Sequence, residues 1–182
     1  SLYGGAGTDF ITISSGFNGG SVFADDSVDD TAGGNDTIAM GAVTSAAIYG
    51  ASGNDSLVAT GAVSNTSLYA GLGSDSLTLT TFSSGIISLS DGSDYVSASG
   101  AFTSATLTGG AGSDTLIIGG RFDTGSIDLG LDADSIRIST GVTSATLLGG
   151  GGSDTISLAD ASSTTITLSD SASSFTGAAF TK

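Results

Sequence analysis

Cysteine, histidine and glutamate are absent from this chain of 182 residues, and only three basic residues are present. Without cysteine the protein has no disulfide bonds and no thiol chemistry, which is neutral about its compartment. Without histidine, cysteine and glutamate, no titratable side chain stands apart from the turns as an acid–base catalyst, so we expect no enzymatic activity. The one catalytic alternative is a pair formed by Asp123 and Asp128. The other interpretation of these two residues is that they are solvated turn residues.

The charge of the chain is almost entirely of one sign. All 18 acidic residues are aspartate, and the net charge is −15. Such a charge argues against binding to nucleic acid or to an anionic membrane, and it suits a polyanion that relies on divalent cations. No apolar run is long enough to insert into a membrane. High serine, threonine and glycine with almost no lysine is typical of secreted bacterial surface proteins, so we expect an extracellular or cell-surface location.

One short pattern recurs along the whole sequence. Residues 109–116 read G-G-x-G-x-D-x-U, where U is aliphatic. We call the eight aligned aspartates the aspartate row: Asp9, Asp36, Asp55, Asp75, Asp94, Asp114, Asp134 and Asp154. The interval from Asp9 to Asp36 is the longest, and every later interval is close to a period of about 20 residues. A fixed period of this length predicts a solenoid.

Apolar residues keep the same register as the aspartates. They stand two and four positions after each aspartate, as at Leu116 and Ile118, which is the alternation of a strand with one buried face. Phenylalanine or valine follows seven or eight positions after, as at Phe102, and predicts a stacked plug in a far turn. A second strand begins near Leu107. The sequence therefore predicts an all-β parallel β-helix or β-roll, one domain over residues 1–182, with two strands per coil of about 20 residues and roughly eight coils.

Stacking in register places the aspartate row along one edge. Neighbouring carboxylates ~5 Å apart repel by about 0.8 kcal/mol in water and by more at lower dielectric. A Ca²⁺ ion between coils would remove this repulsion, using carboxylates and turn carbonyls as hard oxygen ligands. The alternative is that each aspartate is an Asx-type turn residue. Besides the row, the candidate metal-site residues are Asp132, Gly5, Gly7, Gly34, Gly53, Gly71, Gly73, Gly110, Gly112, Gly150 and Gly152.

The repeat departs from its pattern at four places. Residues 24–31 are an acidic insertion, either an extra calcium site on a protruding loop or a solvated loop, and they could interrupt the row between Asp9 and Asp36. Asp132 replaces a glycine and either adds a ligand or abolishes its site. Residues 89–94 lack the first two glycines, which questions the geometry of that turn. Residues 159–182 are a final coil, a cap or a connection, with one more strand at residues 165–168.

The motifs at residues 109–116 and 149–156 resemble the RTX (repeats-in-toxin) family, whose nonapeptide is G-G-x-G-x-D-x-U-x. The resemblance covers about residues 4–158. It implies a calcium-bound parallel β-roll in a protein secreted by the type I route. The family usually carries two nonapeptides per coil, one at each edge. Here one edge alone carries the motif, so we expect calcium along one edge, as in the related solenoids of bacterial S-layer proteins and large RTX adhesins.

Three functions remain open at this point. The first is a structural repeat region of an S-layer or surface filament, with self-association or other surface proteins and glycans as partners. The second is the stalk or ligand-binding module of an adhesin, and the third is the non-catalytic tail of a secreted enzyme. Because the chain opens inside a repeat, we expect it to be a piece of a longer protein. Tyr3, Tyr49 and Tyr69 share one slot, which indicates cross-coil packing or a platform for carbohydrate.

Overall fold

The structure of the protein is a computed structural model that describes residues 1–25, 33–162, 164–168 and 173–177. These residues form 21 strands and no helix. The described part of the chain thus contains no helix that could span a membrane. The strands are parallel and stack as a β-solenoid of about eight coils, which confirms the predicted fold class.

The first of the two sheets, which we call the short-strand sheet, is built from the segments that follow the aspartates. Each strand pairs in parallel with the equivalent strand of the next coil, so that Leu116 lies between Val96 and Ile136. Its nine strands are β2 (Phe10–Ile13), β4 (Thr37–Met40), β6 (Ser56–Ala59), β9 (Ser76–Leu79), β12 (Tyr95–Ala98), β14 (Thr115–Ile118), β16 (Ser135–Ile138), β18 (Thr155–Leu158) and β21 (Ser174–Gly177).

The second sheet, the long-strand sheet, is built from the segments that return toward the next aspartate. In some coils its strand is divided in two near the far turn. Its twelve strands are β1 (Leu2–Tyr3), β3 (Phe17–Phe23), β5 (Val43–Ser52), β7 (Ala62–Ser64), β8 (Ser67–Leu72), β10 (Thr81–Ser83), β11 (Ile86–Asp91), β13 (Phe102–Ala111), β15 (Arg121–Leu131), β17 (Gly141–Leu148), β19 (Ala161–Ser162) and β20 (Thr165–Thr167).

The core lies between the two sheets and consists of rows that run from coil to coil. Leu116 and Ile118 of the short-strand sheet are buried, as is Leu107 of the long-strand sheet, and the equivalent residues of the other inner coils match them. The predicted inward positions are therefore confirmed. Full burial of one such side chain contributes about 1.5–3 kcal/mol, and each is buried by the coil above and the coil below.

The far edge is the turn between β14 and β15 and its equivalents. Phe82, Phe102 and Phe122 are completely buried there and form the predicted plug. The turn closes through a residue with left-handed backbone, at φ between 49° and 55°. These residues are Ser45, Asn65, Ser84, Ser104, Thr124 and Ser144. The first coil has Gly19 in this conformation, with φ 76°.

The last coil extends further than the sequence pattern indicated. Strand β20 confirms the strand predicted at residues 165–168. Beyond it, β21 adds a ninth strand to the short-strand sheet, with Phe175 paired to Ile156. Of the acidic insertion at residues 24–31, Ala24 and Asp25 are buried, whereas residues 26–31 lie outside the described residues.

Candidate cation-binding edge

The turn that carries each aspartate depends on left-handed backbone at two positions. In the turn before Asp114 these are Gly110 at φ 131° and Gly112 at φ 113°. A Cβ atom at Gly110 would overlap the carbonyl oxygen of Ser90 in the preceding coil, so glycine permits the close stacking. Ser90 itself has φ 80° and stays in register with Gly110. The coil that lacks the first two glycines thus keeps the same turn.

The aspartate row is buried along this edge. Seven of its members are no more than 3 % exposed, and Asp9 in the first coil is partly buried. Each backbone N–H donates to Oδ1 of the aspartate in the next coil, at 2.6–3.1 Å, from Asp9 through Asp134. At the last coil the N–H of Asp154 donates to Oγ of Ser173 at 2.9 Å. The row is therefore continuous, and the insertion does not interrupt it between Asp9 and Asp36.

The second oxygen of each carboxyl group is the unusual feature of the edge. In all eight members of the row Oδ2 is buried and has no hydrogen-bond partner among the described residues. A buried polar atom without a partner costs about 1–3 kcal/mol, and a charged one costs more. Two arrangements lower this cost: a proton on the carboxyl group removes its charge, and a cation beside it supplies both opposite charge and a partner.

The electrostatics of the row reflect this burial. Burial is the largest of the effects that raise the pKa of six members: Asp36, Asp55, Asp75, Asp94, Asp114 and Asp134. The pKa rises to about 7 for Asp55, Asp75 and Asp134. For Asp114 it rises to about 6. The hydrogen bond from the neighbouring backbone N–H lowers each pKa but does not offset the burial.

A second ladder runs beside the row, one residue earlier in each turn. The N–H of Asn54 donates to Oδ1 of Asn35 at 2.8 Å, and the N–H of Ser74 donates to Oδ1 of Asn54 at 2.7 Å. Ser93 and Ser113 extend it through serine hydroxyls at 3.2 Å. This ladder is exposed and points toward the opposite end of the solenoid from the first. This ladder was not predicted, although asparagine directly before Asp36 and Asp55 was a visible signal in the sequence.

Carbonyl oxygens of the turns point toward the next coil. A Cβ atom at Gly53 would overlap the carbonyl of Gly34, and one at Gly73 would overlap that of Gly53. The same contact recurs at Gly92, Gly112 and Gly152. A Cβ atom at Gly109 would overlap both the carbonyl oxygen of Leu129 and Oδ2 of Asp114, so a carbonyl and a buried Oδ2 lie near each other at that turn. Both are ligand types that calcium prefers. The described residues contain no group of three acidic side chains that could hold one metal ion, so the carboxylates form an extended row and not a compact cluster.

Asp132 occupies a slot that holds glycine in the other turns. It adopts φ 77°, and its Oδ2 accepts the N–H of Gly112 at 3.2 Å. Its charge adds to the effects that raise the pKa of Asp134. Asp132 therefore keeps the turn closed and brings one more carboxylate to the edge, where its role as a ligand stays a prediction.

Two other predicted features lie away from this edge. The rings of Tyr3, Phe23, Tyr49 and Tyr69 stack face to face on the long-strand sheet, with centroids 4.7–4.9 Å apart. The predicted cross-coil packing of the tyrosines is confirmed, and Phe23 is an additional member of the stack. Because the insertion lies between Phe23 and Asp36, Phe23 does not stand at the same distance before an aspartate as the tyrosines do. Asp123 forms an exposed ion pair with Arg121 at 3.1 Å.

Fold and edge together define the class of the protein: a parallel β-solenoid with a buried aspartate row along one side. A comparison with protein-family models, with curated proteins and with solved structures found no match. The resemblance to RTX repeats thus rests on the motif residues of this chain.

Proposed function

We propose that this chain is a calcium-stabilised structural repeat region of a bacterial extracellular surface protein, of the S-layer or surface-filament type. The observation that carries the proposal is the row of eight buried Oδ2 atoms without a hydrogen-bond partner among the described residues. Bound calcium would supply positive charge and complete the coordination of these oxygens. The ligands would be the carboxylates of the row, with Asp132 at its own turn, and carbonyls of the glycine-containing turns.

The surroundings of the row support a structural role. A net charge of −15 gives the solenoid a strong attraction for divalent cations. Repeats that contact only their neighbours derive their stability from the interfaces between coils, where calcium would act. Metal binding then becomes part of the folding free energy, so the chain would fold where calcium is abundant, as it is outside the cell.

Circular dichroism with thermal unfolding tests the proposal. The protein is measured in millimolar Ca²⁺, in EGTA, and in EGTA with excess Mg²⁺ as the matched control for ionic strength and charge. We expect a cooperative transition at clearly higher temperature in Ca²⁺ than in either control. Identical transitions in all three solutions would refute calcium binding, and the aspartates of the row would then serve only as turn residues.

The aromatic stack favours a second candidate, a ligand-binding module of an adhesin. Tyr3 is 58 % exposed, and Phe23, Tyr49 and Tyr69 are partly exposed beside it. Aromatic rings are common platforms for ligands that have an apolar face. An oligosaccharide array probed with the wild type and with Tyr69→Ser distinguishes this function. Binding that Tyr69→Ser abolishes would favour the module, and an absence of binding would favour the structural role.

A further inference from the structure

The outer face of the short-strand sheet carries no acidic side chain. None of the described strands of this sheet contains an aspartate, whereas the long-strand sheet carries Asp91, Asp123 and Asp128. Serine and threonine fill the outward positions of the short-strand sheet, except for Phe10, Ala39, Val58, Tyr95, Ile117 and Arg137. Because the net charge is −15, this is a face on which two copies of the chain can approach without bringing carboxylates together.

Arg137 is the one charged side chain on the described part of this face. It is the third residue of β16 and is exposed, and its guanidinium group has no ion pair or hydrogen bond with any described residue. Arg121, by contrast, pairs with Asp123 at 3.1 Å. Arginine is enriched at protein interfaces, since its five donors and apolar stem contact polar and apolar groups together.

A groove of about 280 Å³ lies on the same face. The side chains that line it are uncharged and include Val58, Thr60, Thr78, Thr80, Ser97 and Ser99. Pockets for small-molecule ligands typically measure about 300–1,000 Å³, so this groove is small for a ligand and better suits one long side chain. Its hydroxyl groups can accept hydrogen bonds from a guanidinium group.

The groove and Arg137 occupy the same column of the sheet. The strand register pairs Thr78 with Ser97, Ser97 with Ile117, and Ile117 with Arg137. Consider two copies that face each other across a two-fold axis parallel to the strands and midway between β12 and β14. Arg137 of each copy then lies opposite Thr78 of the other. Facing sheets pack about 10 Å apart, a distance over which an arginine side chain reaches the opposite groove.

The area of the face determines the strength of such a contact. In this arrangement all strands of the sheet except β2 overlap with strands of the other copy. Strands of four residues, about 4.8 Å apart, then cover about 500 Å² on each copy. The total of about 1,000 Å² lies at the lower limit for specific protein interfaces and is typical of reversible association.

From these observations we infer that the outer face of the short-strand sheet is a self-association surface. A second copy of this chain binds there in a symmetric pair, with Arg137 of each copy in the groove at Thr78 of the other. The inference goes beyond the proposed function and does not require calcium coordination, because the face contains no member of the aspartate row. Both aspartate edges and both long-strand sheets stay accessible in the pair.

Sedimentation velocity of the intact chain tests the inference, in millimolar Ca²⁺ and over protein concentrations from about 1 μM to about 1 mM. Arg137→Ser is compared with the matched control Arg121→Ser, since each removes one exposed guanidinium group. We expect the wild type to form dimers. Arg137→Ser should raise the dissociation constant at least about tenfold, and Arg121→Ser should leave it within about twofold.

A second pair of variants tests the groove. Thr78→Arg fills it and sets an arginine opposite Arg137 of the other copy, so we expect this variant to stay monomeric. Thr106→Arg is the matched control, because Thr106 is an exposed strand residue of the long-strand sheet, and it should dimerise like the wild type. Circular dichroism verifies that each variant is folded; if one does not fold, the other pair decides.

Three outcomes would overturn the inference. The first is a wild type that stays monomeric at every concentration, which leaves the calcium-dependent unfolding that tests the proposed function untouched. The second is an equal loss of affinity in Arg137→Ser and Arg121→Ser, which would assign the dimer to another surface. The third is a monomer whose binding to an oligosaccharide array is abolished by Thr78→Arg, because the groove would then hold a sugar.

Discussion

The two edges of the solenoid each bury one row of side chains that repeats from coil to coil, but one row is aromatic and the other is acidic. At the far edge the buried row contains Phe82, Phe102 and Phe122, and at the other edge it contains carboxyl groups such as that of Asp114, which are equally buried. The aromatic row gains stability whenever water is excluded. The carboxyl row gains stability only when a proton or a cation satisfies its second oxygen. One backbone repeat therefore combines an edge that is stable by itself with an edge whose stability depends on a bound proton or cation.

The largest expected effect exposes this difference through pH. Because the folded pKa of Asp55, Asp75 and Asp134 is about 7, above the ordinary 3.8, the folded chain retains protons that the unfolded chain has released. Their contribution to stability is complete below about pH 4 and is lost as the pH rises through about 7. In EGTA we expect the melting temperature to fall by more than about 10 °C between pH 4 and pH 8.

Calcium supplies the control for the pH experiment. A bound cation favours the ionised carboxylate, so the loss of stability toward pH 8 should be much smaller in millimolar Ca²⁺. Melting curves recorded every half pH unit in both solutions give the comparison. A melting temperature that rises with pH in EGTA would contradict the raised pKa values and hence the desolvation of the row.

The next effect concerns the far edge, whose stability should not depend on calcium. Phe102→Ala removes a fully buried ring from the far edge and should lower the free energy of unfolding by about 3–5 kcal/mol. The loss should be equal in Ca²⁺ and in EGTA, because the ring lies away from the aspartate row. Urea unfolding measures it, with Phe10→Ala as the matched control. Phe10 is 72 % exposed, so its removal should change stability by less than about 0.5 kcal/mol.

The third effect concerns the aspartate row, where the loss of stability should depend on calcium. Asp75→Asn keeps an oxygen that can accept the N–H of Asp55 but removes a carboxylate from the middle of the row. With calcium at about 100 times the dissociation constant, loss of one site lowers the stabilisation by about 2.7 kcal/mol. The quantity to measure is the difference in unfolding free energy between Ca²⁺ and EGTA. It should shrink in Asp75→Asn and stay unchanged in Phe102→Ala; a similar change in both variants would contradict an edge-specific effect.

Sequence reasoning recovered the features that repeat and missed those that do not. The aspartate slot, the buried residues such as Leu116 and the far-edge plug at Phe102 could be predicted because each recurs from coil to coil. Phe23 was overlooked and the burial of Asp25 was not foreseen, because the insertion interrupts the count and the path of an inserted loop has no period to reveal it. Ser173 was missed because a serine stands where the next aspartate after Asp154 would continue the row.

The chemistry of the edge was also only partly predictable. Residue types indicated that carboxylates stack, but they do not reveal that Oδ1 accepts the N–H of the previous aspartate, as in the pair Asp94 and Asp114. That bond is a property of the stacked backbone, and so is the burial of Oδ2, which has no hydrogen-bond partner among the described residues. The left-handed conformation of Ser104 is likewise set by the turn that closes over Phe102, since serine has no preference for it.

The smallest effect tests whether the far edge contains strain that the aspartate edge avoids with glycine. Left-handed backbone costs an ordinary residue about 1–2 kcal/mol, whereas asparagine tolerates it better. Ser104→Asn should therefore stabilise the protein by about 0.5 kcal/mol, even though it alters the 3.0 Å hydroxyl contact with Thr124. Thr103→Asn is the matched control, because Thr103 is exposed on the same turn with ordinary strand backbone, where asparagine is unfavourable.

Urea unfolding in EGTA measures both of these variants, so that calcium does not contribute. Opposite signs at positions 103 and 104 would show that the backbone conformation, and not the loss of a hydroxyl group, decides the outcome. Equal destabilisation by both would instead assign the stability of this turn to the row of side-chain hydroxyls that includes Ser104 and Thr124. In that case the far edge would depend on polar contacts as well as on its aromatic row, and the contrast with the aspartate edge would be narrower.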